Sequence, residues 1–208
     1  TRLQTGGTAT RVLDTLEQAG FIASHAPFGR QSKDTVYRLV DEFSRFHLTW
    51  IARAPRSVFT SAETAYWLRT RQQRSWSAWA GYTFEGVCLK HIHPIKDGLG
   101  MRAVGTTESN WRYRPADPTD AGAEIDLVID RQDHCINLCE MKHSDHEFVI
   151  TKRYAAELRH KVEAFRDQTR TRKTLLPVMI TTHGTRRNTY YDELVADQLT
   201  MDDLFRPL

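Results

Sequence analysis

Three side chains capable of metal and acid–base chemistry fall within one short stretch of the sequence, EIDLVIDRQDHCINLCEMK at residues 124–142. Asp126 lies inside a first apolar run, and Glu140 and Lys142 end a second apolar run beyond a polar turn. Because alternate residues of a strand share a face, Glu140 and Lys142 are expected to emerge side by side. With the turn centred at Gln132, Asp126 lies six residues back and Glu140 eight residues forward. The two carboxylates are therefore roughly opposite each other, and a bulge could correct the register.

A divalent cation would give these charges a reason to gather, because unpaired charges at the end of a sheet are costly. Asp126 and Glu140 offer the carboxylate oxygens that Mg²⁺ prefers, and the main-chain carbonyl of Met141 could add a further ligand. Such an ion would polarise a phosphate and lower the pKa of a bound water, while Lys142 would hold or deprotonate the attacking water. A salt bridge at a strand end explains the same residues, and this alternative stays open.

The elements around this stretch alternate between helices and strands. They are expected as a helix from about 83 to 98, a strand within 101–113 that passes through Val104, strands over 122–130 and 134–142, a helix over 152–169, a strand over 173–184 and a short helix around 201–205. The helix over 152–169 is amphipathic, and one apolar face is formed by Tyr154, Leu158, Val162 and Phe165. A hairpin followed by a helical crossover to an apolar strand predicts an α/β domain with a mixed central sheet and helices on its faces.

The first 52 residues have the pattern of a partial winged helix. A helix with apolar residues at helical spacing ends at Gly20, a candidate C′ glycine. Two short strands, within FIASHAPF and TVYRLVD, follow on either side of a basic tip around 29–33, and Asp41 is a candidate N-cap for the next helix. An unrelated helix–hairpin segment that only packs explains this order as well.

Contact with DNA through this part of the chain would need basic side chains that face a groove. Arg11 on the first helix and Arg30 and Lys33 at the tip are the candidates. Residues 53–75 are expected to be a linker with a short helix, and residues 76–208 a second domain that contains the candidate metal site.

The order of acidic and basic residues in that second domain resembles the PD-(D/E)xK nuclease superfamily. Glu85 in the helix YTFEGVCLKHI, Asp126 in the next strand but one, and Glu140 and Lys142 in the sequence Glu-Met-Lys match its four positions. The resemblance implies a restriction-endonuclease-like αβββαβ fold, with these four residues catalytic and with Mg²⁺ or Mn²⁺ as the metal. The chain departs from the commonest pattern because no Pro precedes the Asp.

The same resemblance has two further implications for nucleic acid and for the rest of the polypeptide. Arg159 and Gln168 lie on the helix after Lys142, where the superfamily often places phosphate-contacting residues. A winged-helix piece followed by a nuclease-like domain is similar to the C-terminal portion of prokaryotic AAA+-class ATPases. This implies an N-terminal ATPase module in the same polypeptide, with DNA as a partner. The chain contains no G-x-x-x-x-G-K-[ST], so ATP binding is not assigned to it.

Two other functions remain open on this pattern. The nuclease-like domain could be a catalytically silent appendage that binds nucleic acid or protein and regulates an ATPase. Alternatively, the winged helix could bind DNA while the second domain only forms a homo-oligomer. The first residues, TRLQTGG, contain no Met, which favours a segment of something longer.

The composition is that of a soluble globular protein. The 208 residues are 40% hydrophobic, and 29 basic against 26 acidic residues give a net charge of +3, too small to indicate nucleic acid by itself. No apolar run is long enough to span a membrane. Cys88, Cys135 and Cys139 form no CxxC, so a reducing, cytoplasmic setting with cysteines as small apolar residues is expected.

Overall fold

Residues 6–29, 35–60, 65–117 and 120–206 are described by a computed structural model of the chain. They divide into two units. The first takes its described residues from 1–26 and 31–79, and the second takes them from 27–30 and 80–208. The unit boundary in the middle of the chain falls inside a single long helix.

The first unit begins with helix α1 (Gly7–Gln18), which ends as the sequence predicts. Gly20 has a φ of 76°, and its N–H donates to Glu17 O at 2.9 Å. The N–H of Phe21 donates to Leu16 O at 3.0 Å, which completes a Schellman motif. No described residue of α1 is fully buried, so its apolar residues are only partly covered.

Strands β1 (Ile22–His25) and β2 (Val36–Leu39) pair antiparallel and are shorter than the sequence suggests. The first of them stops before Pro27, which has no N–H to donate to a ladder. Helix α2 (Glu42–Phe46) follows, and the Asp41 side chain accepts from Ser44 N at 2.6 Å, so the predicted N-cap is confirmed.

Aromatic side chains make up the packed part of the rest of the first unit. A π-helical turn (His47–Ile51) continues α2, and helices α3 (Ser57–Thr60) and α4 (Ala65–Arg71) lie within the expected linker. Trp50 contacts Trp76 with 5.3 Å between ring centroids, and Trp76 contacts Trp79 at 5.0 Å. The last two tryptophans therefore pack inside this unit.

Helix α5 (Arg74–Lys90) starts well before Thr83, where the sequence was expected to become helical. Gly81 lies in its interior, and a helix tolerates such a glycine at a cost of about 1 kcal/mol. The helix stops at Lys90 because Pro94, four residues on, has no N–H for the Lys90 carbonyl. Helix α6 (Ile92–Gly98) continues with Pro94 in its first turn.

The second unit is built on a mixed sheet, as predicted, and this sheet has five strands. Its strands are β3 (Thr106–Tyr113), β4 (Ala123–Arg131), β5 (Cys135–Lys142), β6 (Thr174–Thr181) and β7 (Asp197–Thr200), in the order β3-β4-β5-β6-β7. The pairs β3–β4 and β4–β5 are antiparallel, whereas β5–β6 and β6–β7 are parallel. Strand β3 begins two residues after Val104, which lies in a turn closed by its N–H to Met101 O, so the prediction that the strand passes through Val104 is wrong.

Helix α7 (Lys152–Thr169) is the predicted crossover between the parallel strands β5 and β6. Helix α8 (Thr189–Leu194) and strand β7 follow β6, and the sequence analysis missed both. A 3₁₀ turn (Asp202–Phe205) replaces the short helix expected there. The sequence did not predict β7 because a strand of four residues is too short to show a clear alternation of apolar and polar side chains.

Both faces of the sheet are covered. On one face, Leu127 and Cys139 pack with Phe84, Cys88 and Ile95 of α5 and α6. On the other face, Val128, Leu138 and Ile125 pack with Phe165 of α7 and with Trp111 of β3. The buried strands β4, β5 and β6 thus lie between helices.

Candidate metal and catalytic site

The pairing of β4 with β5 places Asp126 and Glu140 at adjacent positions. The ladder runs from Asp130↔Ile136 to Leu127↔Cys139, and extending it by one step would set Asp126 against Glu140. The turn is centred at Asp133, not Gln132, because β4 continues through Arg131 and His134 adopts a φ of 63°. With this centre the two carboxylates are equidistant from the turn, and the β4–β5 pair needs no bulge.

A bulge does occur in β4, on the side that faces β3. Ser109 pairs with Val128 and Trp111 with Ile125, so Asp126 and Leu127 together face the single residue Asn110. Such an extra residue redirects side chains, and bulges are common beside active sites. Here the carboxylate of Asp126 is directed to the main chain of the neighbouring strand, β5.

The Asp126 carboxylate accepts a hydrogen bond from the main-chain N–H of Met141, with 2.8 Å between N and Oδ2. In a strand the N–H and C=O of one residue leave on the same side. The Met141 carbonyl is therefore expected on the Asp126 side of β5. This is the arrangement that a shared ligand role for Asp126, Glu140 and Met141 requires.

Glu140 is a buried carboxylate held by cations, with its side chain only 4% exposed. Its Oε2 accepts from Lys161 Nζ at 2.6 Å, lies 3.3 Å from Lys142 Nζ and accepts from the Tyr154 hydroxyl at 3.4 Å. Among the described residues its Oε1 has no hydrogen-bond partner. Burial and then the charge of Asp126 raise the pKa of Glu140, and this outweighs the opposing effect of the two lysines.

Lys142 lies between the two carboxylates. Its Nζ is 3.7 Å from Asp126 Oδ2 and 3.3 Å from Glu140 Oε2, and it lies 6.0 Å from the centroid of the Tyr154 ring. Burial would lower the pKa of Lys142, but the charges of Asp126 and Glu140 outweigh burial and raise it. The site therefore holds a cation at a position flanked by two acids.

Glu85 belongs to the same neighbourhood, from the helix side. It is half-buried on α5, and its charge contributes to raising the pKa values of Lys142 and of the buried Cys88 thiol. Burial is the largest cause of the raised pKa of Cys88, and likewise of the raised pKa of Cys139. Both thiols are free and protonated, as expected of cysteines used as small apolar residues.

Of the candidate nucleic-acid residues, Arg159 lies in the described part of the second unit, where it pairs with another acid. Arg159 on α7 forms an ion pair with Glu193 on α8, with 2.8 Å between Nη2 and Oε2. Arg11 is exposed on α1 in the first unit. Arg30 and Lys33 lie outside the described residues.

Lys161 and Tyr154 are the site residues that sequence reasoning missed. The sequence pattern places Tyr154 on the apolar face of α7 and indicates no role for Lys161. A signal was present, because Lys161 follows Leu158 by three residues and precedes Phe165 by four, which places a lysine within the apolar stripe. A cation in such a stripe needs a buried anion, and Glu140 supplies it.

The residues present fit a hard cation. Two carboxylates flank one cation position, a third acid acts on it from α5, and Glu140 retains a buried oxygen without a partner in the described part of the chain. The same described residues contain no group of three or more His, Cys, Asp or Glu side chains placed to hold a metal by themselves. A metal here would therefore depend on two carboxylates plus main-chain or water oxygens, which is how Mg²⁺ is commonly held.

Comparison with known proteins leaves the site to be judged on its own geometry. No family model matches the chain, and searches of curated proteins and of solved structures return no significant match. Within the described ranges, no helix is long and apolar enough to cross a bilayer.

Proposed function

We propose that the second unit is a Mg²⁺- or Mn²⁺-dependent phosphodiesterase that hydrolyses DNA, on a restriction-endonuclease-like fold. The observation that supports this is the convergence of Asp126, Glu140 and Lys142 at the ends of β4 and β5. The order of helix, three strands, helix and strand around these residues agrees with what the resemblance to the PD-(D/E)xK superfamily implies, which supports the proposal.

Asp126, Glu140 and the Met141 carbonyl would hold the metal. When bound, the metal supplies charge stabilisation for the phosphate and a water of lowered pKa. Lys142, between the two acids, orients the attacking water and balances negative charge as the phosphate reacts. Tyr154 covers Glu140 from α7, and Glu85 contributes negative charge from α5. These five side chains come from four elements, β4, β5, α5 and α7.

A plasmid-nicking assay with Mg²⁺ or Mn²⁺ tests this proposal. We expect Asp126→Ala and Lys142→Ala to reduce the cleavage rate by at least about 10²-fold, the usual loss when a positioned catalytic group is removed. Asp130→Ala is the matched control, because Asp130 is also an acid of β4 in an ion pair with a lysine, Lys173, but near the hairpin turn. Cleavage that survives both substitutions at the level of the control would remove this site from consideration.

A second candidate function is a catalytically silent module, and one observation favours it. Two lysines already neutralise Glu140, so the cluster could persist as a buried ion-pair network. Calorimetry with Mg²⁺ and a DNA titration over a range of salt would separate the two functions. The affinity of a protein that binds DNA through its phosphates falls steeply as the salt concentration rises. Absence of both metal heat and cleavage would favour the silent module.

We also propose that this chain is the C-terminal part of an AAA+-class ATPase, with its first unit a partial winged helix that contacts DNA. The support is the described order of α1, β1, β2 and α2, with Arg11 exposed on α1. Arg11→Ala should weaken duplex binding and reduce its salt dependence if this unit contacts phosphates. The ATPase module would be detected as ATPase activity of the purified intact polypeptide.

A further inference from the structure

Lys161 occupies a position between the buried acid and an open groove. Its side chain is 13% exposed, and its Nζ donates to Glu140 Oε2 at 2.6 Å, the shortest contact that Glu140 makes among the described residues. The same side chain lines a groove of about 640 Å³ between α7 and the facing ends of β3 and β4. An ammonium has three donors, so it can bond Glu140 and still face a ligand in the groove.

The groove is lined by basic side chains on both sides. Arg112 and Arg114 lie on the β3 side, and His160 and Lys161 lie on the α7 side. Two carboxylates also line it: Glu124, 3.3 Å from Arg112, and Glu157, 3.9 Å from Lys161. Arg114 is exposed, and no described residue forms an ion pair with it.

A second cavity adjoins the groove and has a different chemical character. Its volume is about 330 Å³, and it shares Arg112 and Tyr113 with the groove. Its walls include the rings of Phe28, Trp111 and Tyr113, and Gln168 offers an amide. An accessible aromatic ring beside basic side chains is the combination that binds single strands, because bases stack on such a ring, here that of the half-buried Tyr113, while phosphates contact the basic groups.

We infer that these two cavities together bind a segment of single-stranded nucleic acid, and that Lys161 is its central phosphate contact, shared with Glu140. This inference rests on the proposed function, because the groove leads to the same Glu140 that would hold the metal. It names the substrate class, which the catalytic residues alone do not determine.

Lys161 couples the groove to the metal site. A metal held by Glu140 would compete with the ammonium for the charge of the same carboxylate, whichever oxygen it took, so Lys161 would loosen its hold on Glu140. Its donors then turn to the phosphate in the groove. Metal and single strand therefore bind with positive coupling, and each strengthens the binding of the other by the same factor.

The test measures binding and needs no cleavage. Fluorescein-labelled oligothymidylate is titrated with the full chain in EDTA and in Mg²⁺, with the strand's integrity checked on a gel. We expect Mg²⁺ to tighten strand binding by at least about fivefold, within the usual range for coupled sites. Lys161→Met should abolish this gain.

Calorimetry with Mg²⁺ alone gives a second readout, which a merely structural lysine would not produce. Lys161→Met removes a cation that competes for Glu140, so Mg²⁺ should bind at least about fivefold more tightly than to the wild type. Lys173→Met is the matched control, because Lys173 likewise pairs with an acid of the sheet, Asp130 of β4, near the opposite end of that strand. The control should leave both the coupling and the Mg²⁺ affinity unchanged.

A substitution in the groove and a comparison with duplex DNA test whether the ligand is a single strand. Arg114→Ala should weaken oligothymidylate binding in both conditions, with Mg²⁺ affinity unaffected, whereas Arg102→Ala, which loses a surface pair with Asp97, should have no effect. Equal affinity for a blunt duplex of matched length would overturn the assignment to single strands.

Failure of the inference and failure of the proposed function give different results. If Mg²⁺ binds and DNA is cleaved but Lys161→Met behaves like Lys173→Met, Lys161 has no shared role and the inference is wrong. If neither the wild type nor Lys161→Met gives any heat with Mg²⁺, the metal site is wrong, and the coupling falls with it.

Discussion

At the scale of single residues, the site depends on how Asp126 and Glu140 are held. Asp126 has two tasks, because its carboxylate accepts from Met141 N and also lies 3.7 Å from Lys142 Nζ. Glu140 is buried with one oxygen partnered by cations and one without a partner in the described structure. Asp126 therefore has a structural role through its main-chain hydrogen bond, whereas Glu140 keeps one oxygen that a metal can use.

Asp126→Ala and Asp126→Asn should differ in stability. Alanine leaves the Met141 N–H without its acceptor, which should lower the free energy of unfolding by about 1–3 kcal/mol. Asparagine keeps an acceptor oxygen and should retain most of that stability, yet it should lose metal binding along with the charge. Urea denaturation of both variants beside Mg²⁺ calorimetry checks this. Equal destabilisation by the two substitutions would mean that the hydrogen bond is not what Asp126 contributes.

Glu140 should make stability fall with rising pH, the reverse of an ordinary paired carboxylate. Its pKa is raised in the folded protein, so between the unfolded and folded pKa values the folded state binds more protons than the unfolded state. Stability from this group is then present below the unfolded pKa and is lost as pH rises through the folded pKa. Glu140→Gln should remove that slope, measured by urea denaturation in steps upward from about pH 4.5.

The same shift predicts how metal affinity depends on pH. A proton and Mg²⁺ compete for Glu140, so Mg²⁺ should bind more weakly as pH falls through the raised folded pKa. Calorimetry in two buffers of different ionisation enthalpy would detect the released proton. Metal binding with no proton release in that window would show that Glu140 is not a ligand.

At the scale of elements, helix α7 links the core to the site. It packs Leu158 and Phe165 against the sheet and, on the same stripe, directs Lys161 to Glu140. The helix is fixed at its start by Thr151, whose hydroxyl accepts from Tyr154 N at 3.2 Å. The cap therefore orders the turn that carries Tyr154.

Thr151→Ala should lower the free energy of unfolding by about 1 kcal/mol, the usual value of an N-cap. Thr169→Ala is a suitable control, since the Thr169 hydroxyl bonds the Phe165 carbonyl at the other end of the same helix and caps nothing. Thermal unfolding of both variants checks the difference. A loss at Thr169 as large as that at Thr151 would contradict the capping role.

At the scale of the whole molecule, the second unit takes a short segment from far away in the chain. Pro27 bridges to Asn110, and the Phe28 N–H donates to Asn110 O at 2.7 Å at the outer edge of β3. The Phe28 ring lies 5.2 Å from that of Phe165. The segment thus shields the middle of an edge strand and joins the core under α7.

Phe28→Ala should destabilise the second unit by about 2 kcal/mol, less than a fully buried phenylalanine because its ring is only partly covered. Phe59, 57% exposed, gives the control Phe59→Ala, which should cost little. Near-ultraviolet circular dichroism during urea unfolding would report the loss through Trp111, which contacts the same Phe165 ring. A negligible effect would show that Pro27 to Gly29 contribute no stability to the second unit.

The sequence by itself determined the features that depend on local periodicity. Alternation in β4 and β5 gave the common face of Glu140 and Lys142, and the 3.6-residue period gave the full span of α7. Gly20 and Asp41 marked helix ends because capping chemistry acts within a few residues. The mixed sheet followed from connection lengths, which are also local quantities.

Only the tertiary structure decided the features that depend on which distant segments meet. The bulge opposite Asn110, the Lys161 ammonium on Glu140 and the Phe28 segment on β3 each join residues at least 16 positions apart. A window as short as one strand or a few helical turns does not contain both partners of such a contact. A lysine in an apolar stripe reveals that a buried anion must exist, but the fold alone determines that the anion is Glu140, because that is where β5 ends beneath α7.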